Sequence, residues 1–422
     1  MRNRDFEKRR EEGNMTPAGT HRETTTGTHA RRIAPAHSRT ANRGGRNSNI
    51  ELLRIFAMLC VAFNHFPWPT QGIVNPEGFS QHLPTSLALS LISNLGGLGD
   101  CLFFFISIWY ICEETANYKR QCKRVWILER ELLFWSILLL VGNLLSQGLG
   151  FQDSYSKKEL FVYLIHGLFP ALSTHWWFPT HYMLFLLIVP ALSTGLRSVG
   201  KHLHGILAII LFAFNGLIPF EIMDKLPNGN FHSTMNYSVW LFIYQFVLIT
   251  YIKWYRQNWL KSKSLMTAFM WIGGLANVIS QLAGTILLSI VSNEYVNPWY
   301  LWMNNPACFP SMMFALGLLA IAQQKQPWHN VPVNTLASAT LTVYLLFTDP
   351  FTHSIIAAFT QLVPQHGATL LLVGVIVCLA TFALCILLGI IRQALFAVTI
   401  DRHRGRWFEL LWNKASAWTH IA

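Results

Sequence analysis

The sequence predicts an all-α integral membrane protein of about ten transmembrane helices, with both termini cytoplasmic. Three observations carry that prediction. Of 422 residues, 52% are hydrophobic and only 12% are charged, about half the charged fraction of ordinary soluble domains. Ten apolar segments follow one another along the chain, most of them reaching the roughly 20 residues that span a bilayer. Lysine and arginine fall in alternate connecting loops, the pattern expected of the positive-inside bias.

Taken in order, residues 1–47 are rich in Arg, Thr, Asn and Gly and almost free of large apolar side chains. They read as a disordered, basic cytoplasmic tail. Its eleven basic residues against five acidic ones either touch anionic headgroups or serve only to fix orientation. No short apolar run with a small-residue cleavage site precedes the first helix, so no cleavable leader is expected. The apolar segments lie near 50–66, 86–112, 127–149, 176–196, 202–220, 236–256, 266–292, 305–324, 334–359 and 367–395. Together they make a transmembrane domain over 48–395. Residues 160–172 are apolar but too short to span, and read as interfacial or re-entrant. Residues 396–422 read as an amphipathic cytoplasmic segment on the inner leaflet, with Trp407, Phe408, Leu411, Trp412 and Trp418 set among basic residues.

With the N-terminus inside, the inner side receives the tail, Lys119, Arg120, Lys123, Arg124 and Arg130. It also receives Arg197, Lys201, Lys253, Arg256, Lys261, Lys263, Lys325 and the basic C-terminal residues, including Arg392. The outer loops hold only Lys157, Lys158 and Lys225. The net charge of +12 therefore reports topology, and no nucleic-acid partner is expected. Seven cysteines are scattered, mostly through apolar runs, without metal-ligand spacing; no metal is expected.

Chemistry concentrates in the first segment, NIELLRIFAMLCVAFNHF, residues Asn49 to Phe66. Arg54 lies one turn inside its start and His65 near its end. Eleven residues separate them, close to three helical turns, so both lie on one face about 16 Å apart along the axis. Ionisable groups in a spanning helix must look into protein or a wet cavity, or else snorkel to the headgroups. Geometry alone leaves both readings open.

An acidic residue, an arginine three later and a histidine eleven after that, here Glu51, Arg54 and His65, resemble the opening of acyltransferase family 3, the membrane O-acetylases of surface polysaccharides. GGLGDCLFFFISIWYI, Gly96 to Ile111, is similar to the family's glycine-then-FFxxSG block. Phe104, Phe105 and Ser107 fall near the expected places, and Ile108 stands where a glycine is usual. HWWFPTHYMLFLLIVP, His175 to Pro190, resembles its Trp-Phe helix ending in proline. LTVYLLFTDP resembles a late tyrosine-leucine block that often ends in histidine, where this chain has Phe347. The likeness runs over about residues 48–395.

That resemblance implies transfer of an acetyl or similar short acyl group from acyl-CoA to a hydroxyl of a cell-surface or lipid-linked glycan, in the cell membrane. It implies His65 as the catalytic base, aided by Glu51. It implies Arg54 and Ser107 as donor-binding residues, with acetyl-CoA or another acyl-CoA as donor substrate. Glu51 either orients Arg54 or is an interfacial charge. Trp176, Trp177, His181 and Asp349 are candidate acceptor contacts. The tryptophans also fit an ordinary interfacial belt, and Asp349 is a candidate stand-in for the histidine missing at Phe347. Ser107 and Tyr344 also fit a purely structural role as interhelical hydrogen bonders, as do Asn277 and Gln281. The alternative reading is a transporter or flippase for a glycan or other polar substrate, with Arg54, His65 and Asp349 lining its path.

Overall fold

The structure is a computed structural model. It describes residues 46–69, 80–151, 156–173, 175–217, 237–298, 301–362, 367–400 and 405–419. The expected tail, 1–47, lies outside the described residues except for Arg46 and Asn47. Helices and no strands are found among the described residues. Among the described residues, six helical stretches are long and apolar enough to cross a membrane: Leu83–Ile111, Trp177–Ser198, Gly200–Leu217, Lys263–Ser292, Val331–Thr348 and Gly367–Val398. They mark a membrane protein.

Helix α1, Ser48–His65, is started by the Asn47 side chain, which accepts from the Asn49 N–H, and has Glu51 in its first turn. It stops at Phe66, whose backbone is extended, because the following Pro67 clashes with a helical residue before it. Two shorter helices follow, α2 (Leu83–Ile92) and α3 (Gly96–Ile111). A single segment was expected over 86–112; the chain instead breaks at Ser93–Leu95, next to the paired glycines 96 and 97. The next elements are α4 (Tyr118–Gly148), α5 (Lys157–Leu168), α6 (Trp177–Ser198) and α7 (Gly200–Phe212), which ends in a π turn, Ala213–Leu217. The short apolar run near 160–172 is α5, started by a capping box between Ser156 and Glu159.

Beyond these lie α8 (Val239–Tyr255), α9 (Gln257–Lys261) and α10 (Lys263–Ser292), then a 3₁₀ turn at Trp302–Asn304 and α11 (Phe309–Gln324). The expected segment 334–359 is three pieces: α12 (Val331–Ser338), α13 (Thr340–Thr348) and α14 (Pro350–Thr360). The last break has a local cause. Asp349 caps α14 by accepting from the N–H groups of Phe351 and Thr352, and Pro350 takes the first helical position, where its missing N–H costs nothing. Long α15 (Gly367–Val398) and α16 (Arg406–Thr419) complete the chain. Glu409 of α16 pairs with Lys119 at 2.7 Å and Lys123 at 3.3 Å, tying α16 to the start of α4. The hydrogen bond from Lys119 holds the Glu409 carboxyl below its usual range.

Helix α10 shows the pattern imposed by an apolar surrounding. Gly273, Asn277, Gln281, Thr285 and Ser289, spaced by four, are all buried, while Ile279, Leu287 and Ile290 are exposed. The polar stripe is used inside. Ser311 of α11 donates to Asn277 at 3.2 Å, and Gln281 donates to Ser90 of α2 at 2.9 Å.

At the centre stands α1, packed against α2, α3, α11, α12, α13 and α15. Its start is pinned by Ser48, which accepts from the Asn330 N–H at 2.8 Å and donates to Asn334 at 2.9 Å. Close approach of α3 depends on Gly99, where a Cβ would lie 2.5 Å from the Ala57 carbonyl oxygen. Gly99→Ala is therefore expected to cost about 1–3 kcal/mol, the usual range for overpacking. Gly148→Ala, at a site with nothing within 4 Å, should not. Thermal unfolding of both purified variants in one detergent checks this; equal midpoints would contradict the close α1–α3 contact.

Candidate active site

Glu51 and Arg54 form an ion pair one helical turn apart, with Arg54 Nη1 donating to Glu51 Oε2 at 2.7 Å. Glu51 is buried, and its other oxygen lies 3.7 Å from Arg46 Nε. Arg54 opens onto a cavity of about 290 Å³ with Ser107 and Phe103 of α3, Phe178 and Tyr182 of α6, and Leu341 of α13. Ser107 donates to the Phe103 carbonyl at 3.4 Å and lies within reach of the Tyr182 hydroxyl. Arg54 and Ser107, from separate sequence blocks, thus meet in one place.

A second cavity, of about 680 Å³, adjoins the first: Arg46 and Ser338 line both. Its other walls include Lys123, Trp126 and Arg130 of α4 and Arg392 of α15. Arg392 is partly neutralised by Glu131 at 2.9 Å. Among the described residues the lining carries four cationic side chains and no carboxylate. Sequence reasoning had these cations as topology markers. Their convergence was not legible, because they come from three distant parts of the chain.

His65 ends α1 on the far side of an aromatic step. Its ring meets Tyr344 edge-on with centroids 6.5 Å apart. The Tyr344 hydroxyl accepts from the Phe178 N–H at 3.4 Å, and Phe178 lines the Arg54 cavity. Phe178 and Tyr344 therefore link the Arg54 cavity to His65 through a chain of contacts. Phe347 is buried, and the imidazole that interacts electrostatically with His65 is His353, one turn beyond Asp349 on α14. Asp100 of α3 interacts electrostatically with Tyr344. Neither His353 nor Asp100 was singled out from sequence, although a lone carboxylate in the apolar run GGLGDCLFFF was the available signal.

The remaining candidates gather around Asp349. His175 Nε2 lies 3.0 Å from Asp349 Oδ2, and the His166 ring stands 5.5 Å from that of His175. Between the α14 cap and His175, both oxygens of Asp349 are engaged. Trp176 is buried, with its indole N–H donating to the Leu345 carbonyl at 3.2 Å. Trp177 packs edge-on against Tyr237, and His181 Nδ1 donates to the Trp177 carbonyl at 2.7 Å. Trp176, Trp177, His181 and Asp349 line neither of the two cavities.

A family model described as an acyltransferase domain, that of acyltransferase family 3, matches residues 47–390. No curated protein and no solved structure matches the chain. The Glu51–Arg54 pair generates a prediction independent of activity. Arg54→Ala leaves a buried carboxylate without its nearest cation and is expected to destabilise by about 3 kcal/mol. Glu51→Ala/Arg54→Ala removes both charges and should recover part of that loss. Unfolding midpoints of the single and double variants decide it; a double variant less stable than Arg54→Ala would exclude charge imbalance as the cause.

Proposed function

The chain belongs to acyltransferase family 3, and from that premise we propose that it transfers an acetyl or similar short acyl group from acyl-CoA to a hydroxyl of a surface or lipid-linked glycan. The observation that carries this reading is the junction of the two cavities at Arg46. The basic cavity suits the phosphates of a nucleotide-bearing thioester, with Trp126 available to its base, and it leads directly to Arg54 and Ser107. The thin pantetheine arm would then run along α1 toward His65.

The chemistry required is modest. The imidazole of His65 takes the proton of the acceptor hydroxyl as its oxygen attacks the thioester carbonyl carbon. A new C–O bond forms, the tetrahedral intermediate collapses, and the C–S bond breaks. The imidazolium returns its proton to the departing thiolate, giving the ester and free CoA. Arg54, oriented by Glu51, holds the donor from the basic end. That end is assigned to the cytoplasm, where acyl-CoA is made, and His65 to the outer side, in a ten-span arrangement with both termini inside.

A transporter reading draws on the interrupted helices at Ser93–Leu95 and at Asp349, a feature of many carriers. Acyl transfer by purified protein separates the two. His65→Ala is expected to lower turnover by about 10²–10⁴-fold while acyl-CoA binding stays within twofold. Arg54→Lys keeps the charge but loses the planar fork, and should raise the donor KM. Radiolabelled acetyl-CoA with membranes containing each variant, normalised to inserted protein, provides the measurement. Wild-type turnover in His65→Ala would remove that residue from the mechanism.

Sidedness has its own test. In a background without native cysteines, Asn297→Cys should react with an impermeant thiol reagent on intact spheroplasts, and Ser262→Cys only after the membrane is opened. The reverse pattern would invert the assignment.

A further inference from the structure

A third cavity, of about 390 Å³, lies at the His65 end of α1 and serves no role in the account above. Asn64 and Phe66, the residues on either side of His65, both line it. So do Trp68, Ser93, Asn297 and Asn304, and among the described residues no carboxylate, histidine, lysine or arginine does. Apart from Leu89, the described lining is amide, hydroxyl and aromatic.

These groups are held in fixed positions. Asn297 accepts from Asn94 at 2.6 Å and donates to Ser93 at 3.1 Å, so its amide is locked across the α2–α3 break. Asn304 Oδ1 accepts from the Gly97 N–H at 3.1 Å, which turns its NH₂ group away from that bond. Trp68 donates its indole N–H to the Phe63 carbonyl at 3.0 Å and packs edge-on against Phe66 at 4.9 Å. Asn64 Oδ1 is buried and has no hydrogen-bond partner among the described residues. A buried amide oxygen without a partner has already given up its water, and a donor supplied by a ligand would recover that loss.

We infer that this cavity binds a neutral, polyhydroxylated sugar unit, as the acceptor subsite next to the unit that is acylated at His65. The inference rests on the acyl-transfer reading for the identity of the neighbouring reaction. Its own support is the lining. Hydroxyl groups both donate and accept, as do the Asn64 and Asn304 amides, and a pyranose face of C–H groups suits the fixed plane of Trp68. Among the described residues an anionic ligand finds no cation here, in contrast to the basic cavity at the other end of α1. With no described lining side chain to accept a proton at neutral pH, the cavity holds and orients, and the proton transfer belongs to His65 next door.

The test uses full-length protein in detergent or nanodiscs. The probe is the neutral oligosaccharide released from the producing cell's surface glycan and freed of esters by mild alkali, alone and as its lipid-linked precursor. Calorimetry reads glycan and acyl-CoA binding separately, and a transfer assay reads ester formation. Asn64→Ala is expected to weaken glycan binding roughly fivefold to tenfold, the size of one hydrogen bond, and Trp68→Ala by at least as much. Acyl-CoA affinity should not change in either. Trp68→Phe keeps the packing and controls for misfolding. Tighter binding of the free or of the lipid-linked form names which source the subsite serves. Wild-type protein that binds neither form overturns the inference, as do variants that bind glycan as well as wild type or that lose acyl-CoA instead. Glycan binding that falls in the variants while wild type forms no ester keeps the subsite and removes the acyl-transfer reading.

Discussion

An arginine on an apolar helix packed among its neighbours needs a counter-charge, and Glu51 supplies it from one turn away on the same helix. The pair is local: its 2.7 Å contact joins residues one turn apart on α1 and needs no neighbouring helix. A carboxylate and a guanidinium that already neutralise each other can be buried at much lower cost than either alone. α1 can therefore sit at the centre of the bundle, touching helices from both halves of the chain. The remaining face of Arg54 is left for the cavity with Ser107 and Tyr182. The anchoring of Ser48 to Asn330 and Asn334 fixes α1 lengthwise, and so sets how far along the bundle Arg54 and His65 stand.

The two ends of α1 then differ in kind. At its start, cations from α4 and α15 and from Arg46 surround a large cavity. At its end, beyond Pro67, asparagine amides and aromatic rings surround a smaller neutral one. One helix thus carries a cationic surrounding at one end and an amide-rich, aromatic one at the other. The backbone supports the contrast. Helix breaks at Ser93–Leu95 and at Asp349 lie at the His65 end, where their freed polar groups are met by Asn94, Asn297, Asn304 and the Asp349 cap. Irregular backbone at such depth is tolerated only where it is buried in protein or lines a wet cavity.

The helical segments were legible in the sequence because hydrophobic length is a local property, and so was the Arg54–His65 spacing, because the helical period is local too. What escaped were features made by distant residues meeting. Arg46, Lys123, Arg130 and Arg392 read as separate charges until α4 and α15 bring them together. His353 falls inside the expected segment 334–359 and carries no local signal, and only packing brings it near His65. Some signals were present but underused. The dipeptide Asp349-Pro350 is a cap followed by a first-turn proline, and it marked a new helix where a continuous one was expected. Trp176 shows the opposite difficulty: a tryptophan beside a predicted interface reads as a surface residue, yet its indole is buried against α13 through Leu345.

Under the proposed transfer, the aromatic step between the two ends has a chemical use. A thioester carried from one aqueous side toward a hydroxyl on the other would be exposed to water if the two cavities were joined by an open channel. Phe178 and Tyr344 interrupt the path, held by one N–H to hydroxyl hydrogen bond and backed by the buried rings of Phe242, Phe104 and Phe185. Rings packed this tightly move as a group or not at all. A thin arm can pass beside them only where a small displacement opens room. Tyr344 is suited to be that point, because it sits in the short helix α13, between a break at Ala339 and the cap at Asp349. The same two interruptions that segment this span give the residue facing His65 a short rigid support with a joint at each end.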